Sequence, residues 1–320
     1  MGERAVRVAF LGPAGTFTEE ALLTQSDLTG AELVAEATMT EVLAAVERGE
    51  ADFGFVPIEN SIEGTVRETL DALIFDRELL IQREVVLGIS LSLLGPPGTT
   101  LAEVRRVVSY PVATAQCRDW LQRELPGAVE VAATSTAEAA RVVGEERPAA
   151  TAAVGTALAA KLYGLEVLAG DIEDHPENAT RFVLVARPEA GIPAMTGHDK
   201  TTLVCFQQRD RPGSLHAILG QFSARNLNLT NLQSRPTKQR LGHYCFLIEL
   251  EGHIDDEVIA DCLRDLHASL ADLKYLGSYP AAGEHGPAIR RDAERAWREA
   301  DEWIRGLQDN VRGESGEGES

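Results

Sequence analysis

The sequence predicts an α/β protein: two facing α/β lobes followed by a smaller βαββαβ unit. Three observations lead there. Apolar strands alternate with helical segments through residues 6–187. A helix-to-strand pattern recurs within that stretch, beginning once at Thr40 and again at Thr136, as expected of two similar lobes across a cleft. A Pro- and Gly-containing linker, 188–200, then precedes a different order of elements in 201–280.

In order, residues 6–11 read as a buried strand and 17–23 as a helix. Residues 40–48 read as a helix with Thr40 as its N-cap. Residues 53–58 form a second buried strand and 65–75 a further helix. The apolar stretch 79–94 crosses between lobes, and Pro96-Pro97-Gly98 turns the chain. The helix from Thr136 feeds a strand at 151–154. An irregular loop, 171–178, leads into strand 182–185, which returns to the first lobe and sets Thr180 and Arg181 at the hinge side of the cleft. Beyond the linker, 201–207 is a strand and 214–225 a helix with Leu215, Ile218, Leu219 and Phe222 on one face. Strands at 229–234 and 244–250, a helix at 255–269 and a strand at 272–278 complete a ferredoxin-like order. Ala293, Ala296, Trp297, Ala300, Trp303, Ile304, Leu307 and Val311 recur at helical steps, an amphipathic helix that docks on its own chain or forms an oligomer contact. Residues 313–320 have a disordered composition.

The net charge of −20 argues against nucleic acid or an anionic membrane as partner, since both need a basic face. An anionic ligand must therefore find a locally positive spot. No apolar run approaches a membrane span, and no N-terminal export signal is visible. Asn178-Ala179-Thr180 and Asn228-Leu229-Thr230 are glycosylation sequons in form only. Cys117, Cys205, Cys245 and Cys262 lie far apart in apolar patterns, as reduced, buried cysteines of a cytoplasmic protein would. The histidines show no metal-ligand spacing; His175 lies just before the Thr180 loop.

Three polar segments stand at the mouths of short apolar strands. In Gly12-Pro13-Ala14-Gly15-Thr16-Phe17 the small residues admit a ligand close to the backbone, and Thr16 heads a helix. The same residues also suit a tight β–α turn without a ligand. In Glu59-Asn60-Ser61-Ile62-Glu63-Gly64-Thr65, Asn60, Ser61 and Thr65 offer donors, while Glu59 and Glu63 suit capping. Asn178-Ala179-Thr180-Arg181-Phe182 sets a hydroxyl beside a guanidinium at a strand mouth, where functional groups concentrate. Neither a dinucleotide nor a Walker motif is present. Together they predict a pocket for a small anion.

These three segments, with Tyr110-Pro111-Val112-Ala113-Thr114-Ala115-Gln116-Cys117, resemble the signatures of the prephenate dehydratase family in their order. Residues 201–280 resemble the ACT domain that accompanies that catalytic domain. His253-Ile254-Asp255-Asp256 and Tyr275-Leu276-Gly277-Ser278-Tyr279-Pro280 point to the actinobacterial branch. The resemblance implies a two-lobed, type II periplasmic-binding-protein-like catalytic domain over 6–187, an ACT regulatory domain over 201–280, and a tail over 281–320. It implies conversion of prephenate to phenylpyruvate, water and carbon dioxide, with no cofactor and no metal. The family's essential threonine maps to Thr180. Substrate contacts map to Pro13, Ala14, Gly15, Thr16, Asn60, Ser61, Thr65, Arg181 and Phe182. Arg181 either neutralises a substrate carboxylate, the favoured role, or braces the loop; for Phe182, packing is favoured.

The effector, L-phenylalanine, maps to Gly213, Ser214, Leu215, Asn231, Gln233 and Ser234, in paired ACT domains of a homodimer or homotetramer. Ser214 and His216 replace an alanine and a small apolar residue of the family pattern, and Gln233 replaces a glutamate, so effector affinity or selectivity is open. Alternative readings are an arogenate dehydratase, a decarboxylase without aromatisation, and a non-catalytic amino-acid sensor with a solute-binding fold.

Overall fold

The computed structural model describes residues 4–207, 211–238, 243–282 and 302–308. The chain divides into two units, Met1–Gly191 and Ile192–Ser320. In the first unit, β1 (Arg7–Leu11), α1 (Phe17–Leu23), β2 (Glu32–Glu36), α2 (Met39–Glu47), β3 (Phe53–Asn60), the short β4 (Gly64–Thr65), α3 (Arg67–Asp71) and β5 (Leu80–Gly88) build one lobe. The chain crosses to a second lobe of β6 (Ser92–Gly95), β7 (Arg106–Ser109), α4 (Pro111–Ala115), α5 (Arg118–Glu124), β8 (Val129–Ala132), α6 (Thr136–Glu146), β9 (Thr151–Gly155), α7 (Ala157–Leu162) and β10 (Glu166–Ala169). It returns to the first as β11 (Ala179–Ala186).

The first sheet has the order β2-β1-β3-β11-β5, with β4 beside β3; the second has the order β10-β6-β9-β7-β8. Read from β8, the second repeats the first. In each, three parallel strands meet one antiparallel strand contributed from across the crossover, β11 in one lobe and β6 in the other. The recurrent sequence pattern is thus a structural repeat, with α2–β3 matching α6–β9.

Side-chain caps start the helices. Thr16, Thr38, Ser135 and Thr156 each accept a backbone N–H from the first turn of α1, α2, α6 and α7. Thr40 therefore lies inside α2 rather than at its cap; its hydroxyl donates to Glu68. The segment expected as one helix over 65–75 splits into α3 and a π-helical turn, Ala72–Asp76. Thr180 and Arg181 stand within β11, which starts three residues earlier than the apolar run suggests, because polar residues there pair with β3 and β5.

The first lobe packs Val8, Phe10, Phe55, Phe182 and Leu184 of its sheet on Ala21 and Leu22 of α1. The Phe55 and Phe182 rings stack, with centroids 5.4 Å apart. The second lobe buries Leu93, Val107 and Val154 with Cys117 and Leu121 on one side, and Val108 and Ala153 with Ala139, Ala140 and Val143 of α6 on the other.

The second unit comprises β12 (Asp199–Phe206), α8 (Ser214–Ser223), β13 (Leu229–Pro236), β14 (Tyr244–Glu251), α9 (Glu257–Ser269) and β15 (Asp272–Pro280). Its antiparallel sheet runs β13-β14-β12-β15, the ferredoxin-like order, with β13 at an edge. Leu203, Cys205, Phe246 and Ile248 pack against Ile218 and Phe222 of α8 and Ile259, Cys262 and Leu266 of α9. All four cysteines are free and buried. Residues 302–308 are helical with Trp303, Ile304 and Leu307 exposed. The other positions of that predicted helix, Ala293, Ala296, Trp297, Ala300 and Val311, and the tail 313–320, lie outside the described residues. No described helix is long and apolar enough to cross a membrane.

Candidate active site

The loops after β1 and β3 leave the carboxyl ends of parallel strands, where α/β sheets place their ligands. β11 runs antiparallel to β3 and brings its first residues to the same end, so that Thr180 pairs with Asn60 and Arg181 with Glu59. A bulge follows, between Arg181 and Phe182.

Asn60 organises this corner. Its Oδ1 accepts the Ile62 and Glu63 N–H groups, both at 2.9 Å, tightening the turn into β4 where Glu59 pairs with Thr65. That leaves Nδ2 facing the return strand. It donates to Thr180 Oγ1 at 2.9 Å and Asn178 Oδ1 at 2.9 Å, with Ala179 O at 3.3 Å. Ser61 accepts the Ala179 N–H at 3.0 Å and donates to Asn178 Oδ1 at 3.3 Å. The half-buried Thr180 hydroxyl has Asn60 as its side-chain partner among the described residues. A hydroxyl oxygen that receives an N–H keeps its own proton to give elsewhere.

Arg181 alternates to the opposite face of the strand. Nη1 meets Glu84 at 3.0 Å and Nη2 meets Glu59 at 3.1 Å. The Glu84 side chain is 1% exposed and the Arg181 side chain 12%, so this pair is largely withdrawn from water. Phe182 is 1% exposed and stacked on Phe55, so its ring lies in the core instead of lining a cleft.

The first loop is tied across to the second lobe. Thr156 Oγ1 donates to Gly15 O at 2.8 Å, and the Tyr163 hydroxyl donates to Ala14 O at 2.9 Å. Gly15 has φ +89, and a Cβ there would stand 3.1 Å from Ala159, two reasons for glycine. The Gly15 N–H donates to Glu19 Oε2 at 2.5 Å. Thr16 donates to Leu11 O and accepts from Glu19, so its hydroxyl serves the turn and the helix cap. Pro13 completes this turn through a cis bond to Gly12.

The two crossovers are laced together by Ile89 N–H to Asn178 O at 2.8 Å and Ile172 N–H to Leu91 O at 2.9 Å. From there Asn178 Nδ2 reaches Gln116 Oε1 of the second lobe at 3.3 Å, and Asp174 N–H reaches Gln116 O at 2.7 Å. Asp174 also receives the Asp119 and Trp120 N–H groups at the start of α5. Sequence reasoning named neither Gln116 nor Asn178 as site residues. Gln116 stood inside the family-like segment 110–117, and Asn178 opened the Thr180 pentapeptide. Beside Gln116, burial with Asp174 and Glu173 pushes the Cys117 thiol up to about 12, which keeps it from acting as a thiolate. Among the described residues no group of three or more His, Cys, Asp or Glu side chains forms a metal cage.

In the second unit, Gly213 caps α8 in the left-handed region at φ 88, followed by Ser214 and Leu215. On β13, Ser234 pairs with Phe246 and Leu232 with Ile248, which places them on the helix-bearing face; Leu232 is 42% exposed. Asn231 and Gln233 pair with Glu249 and Leu247 and share the opposite face, with Gln233 Nε2 3.4 Å from Asn231 Oδ1. The fold thus divides the expected effector residues between two faces.

Comparison with known proteins bears on both units. The prephenate dehydratase family profile matches residues 8–190 and the ACT domain profile residues 201–268. A prephenate dehydratase of Mycolicibacterium vanbaalenii is 44% identical over 315 residues, covering 94% of this chain and 98% of that protein. The crystal structure of a prephenate dehydratase from Arthrobacter aurescens, in complex with L-Phe, superposes with a TM-score of 0.83 at 40% identity. That match covers 95% of this chain and all of the other, 100%. A structure described as a novel type of quorum quenching acylase gives a TM-score of 0.78 at 33% identity, over 86% of this chain and 98% of its own. With the three motif segments at one end of the first sheet and an ACT unit after them, the chain belongs to the prephenate dehydratase family.

Proposed function

We propose that this protein converts prephenate to phenylpyruvate, carbon dioxide and water, under control of phenylalanine bound by its ACT unit. The observation that carries the reading is the Thr180 hydroxyl, held at 2.9 Å by an amide that donates to it. The reaction needs little beyond placement, because aromatisation drives it. The ring carboxylate leaves as carbon dioxide, its bonding electrons enter the ring, and the ring hydroxyl departs. Thr180 hydrogen-bonds the departing oxygen and passes it a proton, so that water leaves in place of hydroxide; solvent then restores the threonine. In this reading Gln116, tied to the Thr180 cluster through Asn178, and the backbone of the Gly12–Thr16 turn border the substrate. In this reading Arg181 meets a substrate carboxylate in competition with Glu59, whose side chain is 42% exposed against 1% for Glu84.

The effector site is assembled from Gly213, Ser214 and Leu215 with Ser234, and is completed by a second copy along the open β13 edge, in a homodimer or homotetramer. With Gln233 in place of the family's glutamate, the opposite face carries one negative charge fewer. The protein is cytoplasmic in this reading.

The acylase relative sets a second chemistry beside the first. Acyl transfer by Thr180 needs a base at its hydroxyl. The neighbour at that position is the Asn60 amide, a donor, which favours the dehydratase. Incubation of purified protein with prephenate, and separately with arogenate and an N-acyl homoserine lactone, tests this directly. Phenylpyruvate released from prephenate and depressed by phenylalanine is expected. Turnover of the lactone alone would overturn the assignment, and preference for arogenate would revise the substrate.

A further inference from the structure

Asn178 is 1% exposed, and its amide joins parts of the protein far apart in sequence. Oδ1 accepts from Asn60 Nδ2 at 2.9 Å and Ser61 Oγ at 3.3 Å. Nδ2 donates to Gln116 Oε1 at 3.3 Å. Its backbone carbonyl accepts from Ile89, on the outgoing crossover, and its own N–H donates to His175 O at 3.0 Å. One buried side chain therefore meets the β3–β4 turn of the first lobe and the end of α4 in the second, from a position on the return crossover.

The consequence lies in which end of each neighbouring amide faces Thr180 and the site. Asn60 has two Nδ2 protons. Asn178 Oδ1 takes one, which leaves the other for Thr180 Oγ1. Were Asn178 absent, the proton it takes would turn to Ala179 O, 3.3 Å away, and pull the amide out of line with Thr180 Oγ1, leaving the Ile62 and Glu63 N–H groups on Oδ1 to hold it. On the other side, the Asn178 Nδ2 group holds Gln116 by its oxygen, so the Gln116 amide presents its N–H groups away from Asn178. A buried amide with both ends engaged is costly to leave half-satisfied, so it holds this orientation firmly.

We propose that Asn178 is a positioning residue for the dehydration: it holds the Asn60 amide in line and fixes the orientation of the Gln116 amide, and through Asn60 it sets the direction in which Thr180 offers its proton. It touches no reacting atom. The role rests on the dehydratase reading above, and the experiment separates the two.

The variants are Asn178→Ala, Thr180→Val and the double variant, in the full-length protein with prephenate as substrate. Asn178→Ala is expected to lower kcat by about ten- to a hundredfold with KM within about threefold, since the loss falls on the chemical step. In the Thr180→Val background the same substitution is expected to cost less than about threefold, because its effect passes mainly through that hydroxyl. An equal factor in both backgrounds, a change confined to KM, or unchanged kinetics would each overturn the role. If Asn178→Ala melts too low to assay, Asn178→Leu keeps the volume and removes the acceptor for Asn60 as well as the donor to Gln116. A fall in its kcat with KM held supports the role, and unmutated kinetics overturn it. An unmutated protein that leaves prephenate untouched would overturn the dehydratase reading itself, and this role with it.

Discussion

Thr180→Val is the sharpest perturbation of the reading, because valine keeps the branched shape and removes only the hydroxyl. In the folded protein the change deletes one hydrogen bond, from Asn60 Nδ2 at 2.9 Å. Asn60 keeps Asn178 as acceptor, and keeps the Ile62 and Glu63 N–H groups on its oxygen. Thr180 is half-buried, so the structural loss is on the order of 1 kcal/mol. For a domain of this size that is a fall of about 2–4 °C in Tm. The loss of proton donation is larger. General-acid assistance is worth about a hundredfold or more in rate, or roughly 2.7 kcal/mol of barrier. Phenylpyruvate formation at saturating prephenate, with a thermal melt of the same preparation, separates the two effects. The expected result is turnover down by about a hundredfold with a melt only slightly lowered, and substantial recovery in Thr180→Ser. Turnover within about threefold of the unmutated protein would refute the argument.

Three further outcomes are expected. Glu84→Gln weakens the buried partner of Arg181 and should cost about 3 kcal/mol, a Tm fall of about 6–12 °C; an unchanged melt would show that Arg181 does not depend on Glu84. Arg181→Lys replaces a planar fork by a point charge; a raised KM with a preserved melt supports substrate contact, whereas a lowered melt with unchanged kinetics assigns the residue to the ion pair. Ser234→Leu should abolish phenylalanine inhibition while preserving basal activity, and undiminished phenylalanine binding by calorimetry would place the effector elsewhere.

One stability prediction comes from Glu20 of α1. Burial raises its carboxyl above the ordinary value of 4.5, partly offset by Lys161. A group that holds its proton more tightly when folded begins to cost stability as the pH rises through the unfolded value of 4.5, and the cost is complete once the pH passes its folded value. Glu20→Gln should therefore raise Tm at pH 7, with the gain fading as the pH falls towards 4.5. A gain independent of pH would point to packing as its cause.

The strands that carry the site were legible because they are buried on both faces and read as continuous apolar runs, 6–11 and 53–58 among them. The shorter or more exposed ones were not. β8, Val129–Ala132, is exposed along its whole length and has no core face to set a pattern. The cap at Thr38 was missed because Thr40, two residues on, has the same chemistry; only backbone geometry distinguishes them. Motif chemistry identified Asn60, Ser61 and Thr180 as a group. It left the partners of Arg181 open, since Glu84 lies 97 residues away and nothing local marks it. Asn178 and Gln116 act through the orientation of an amide, which a one-dimensional pattern does not record.

The swapped strand has a consequence for synthesis. The fourth position of the first sheet is filled by β11, so the contact between Asn60 and Thr180 spans 120 residues. A growing chain has completed the first two motifs, and the whole second lobe, before the strand bearing Thr180 leaves the ribosome. Until then the sheet has an open slot between β3 and β5, with two unpaired apolar edges exposed to any other strand. Vectorial assembly thus makes this lobe the last part of its unit to close, although it is the first to be made. A chain cut short before Ala179 would carry two of the three motifs yet lack the Asn60–Thr180 corner, and would present a sticky template to its neighbours.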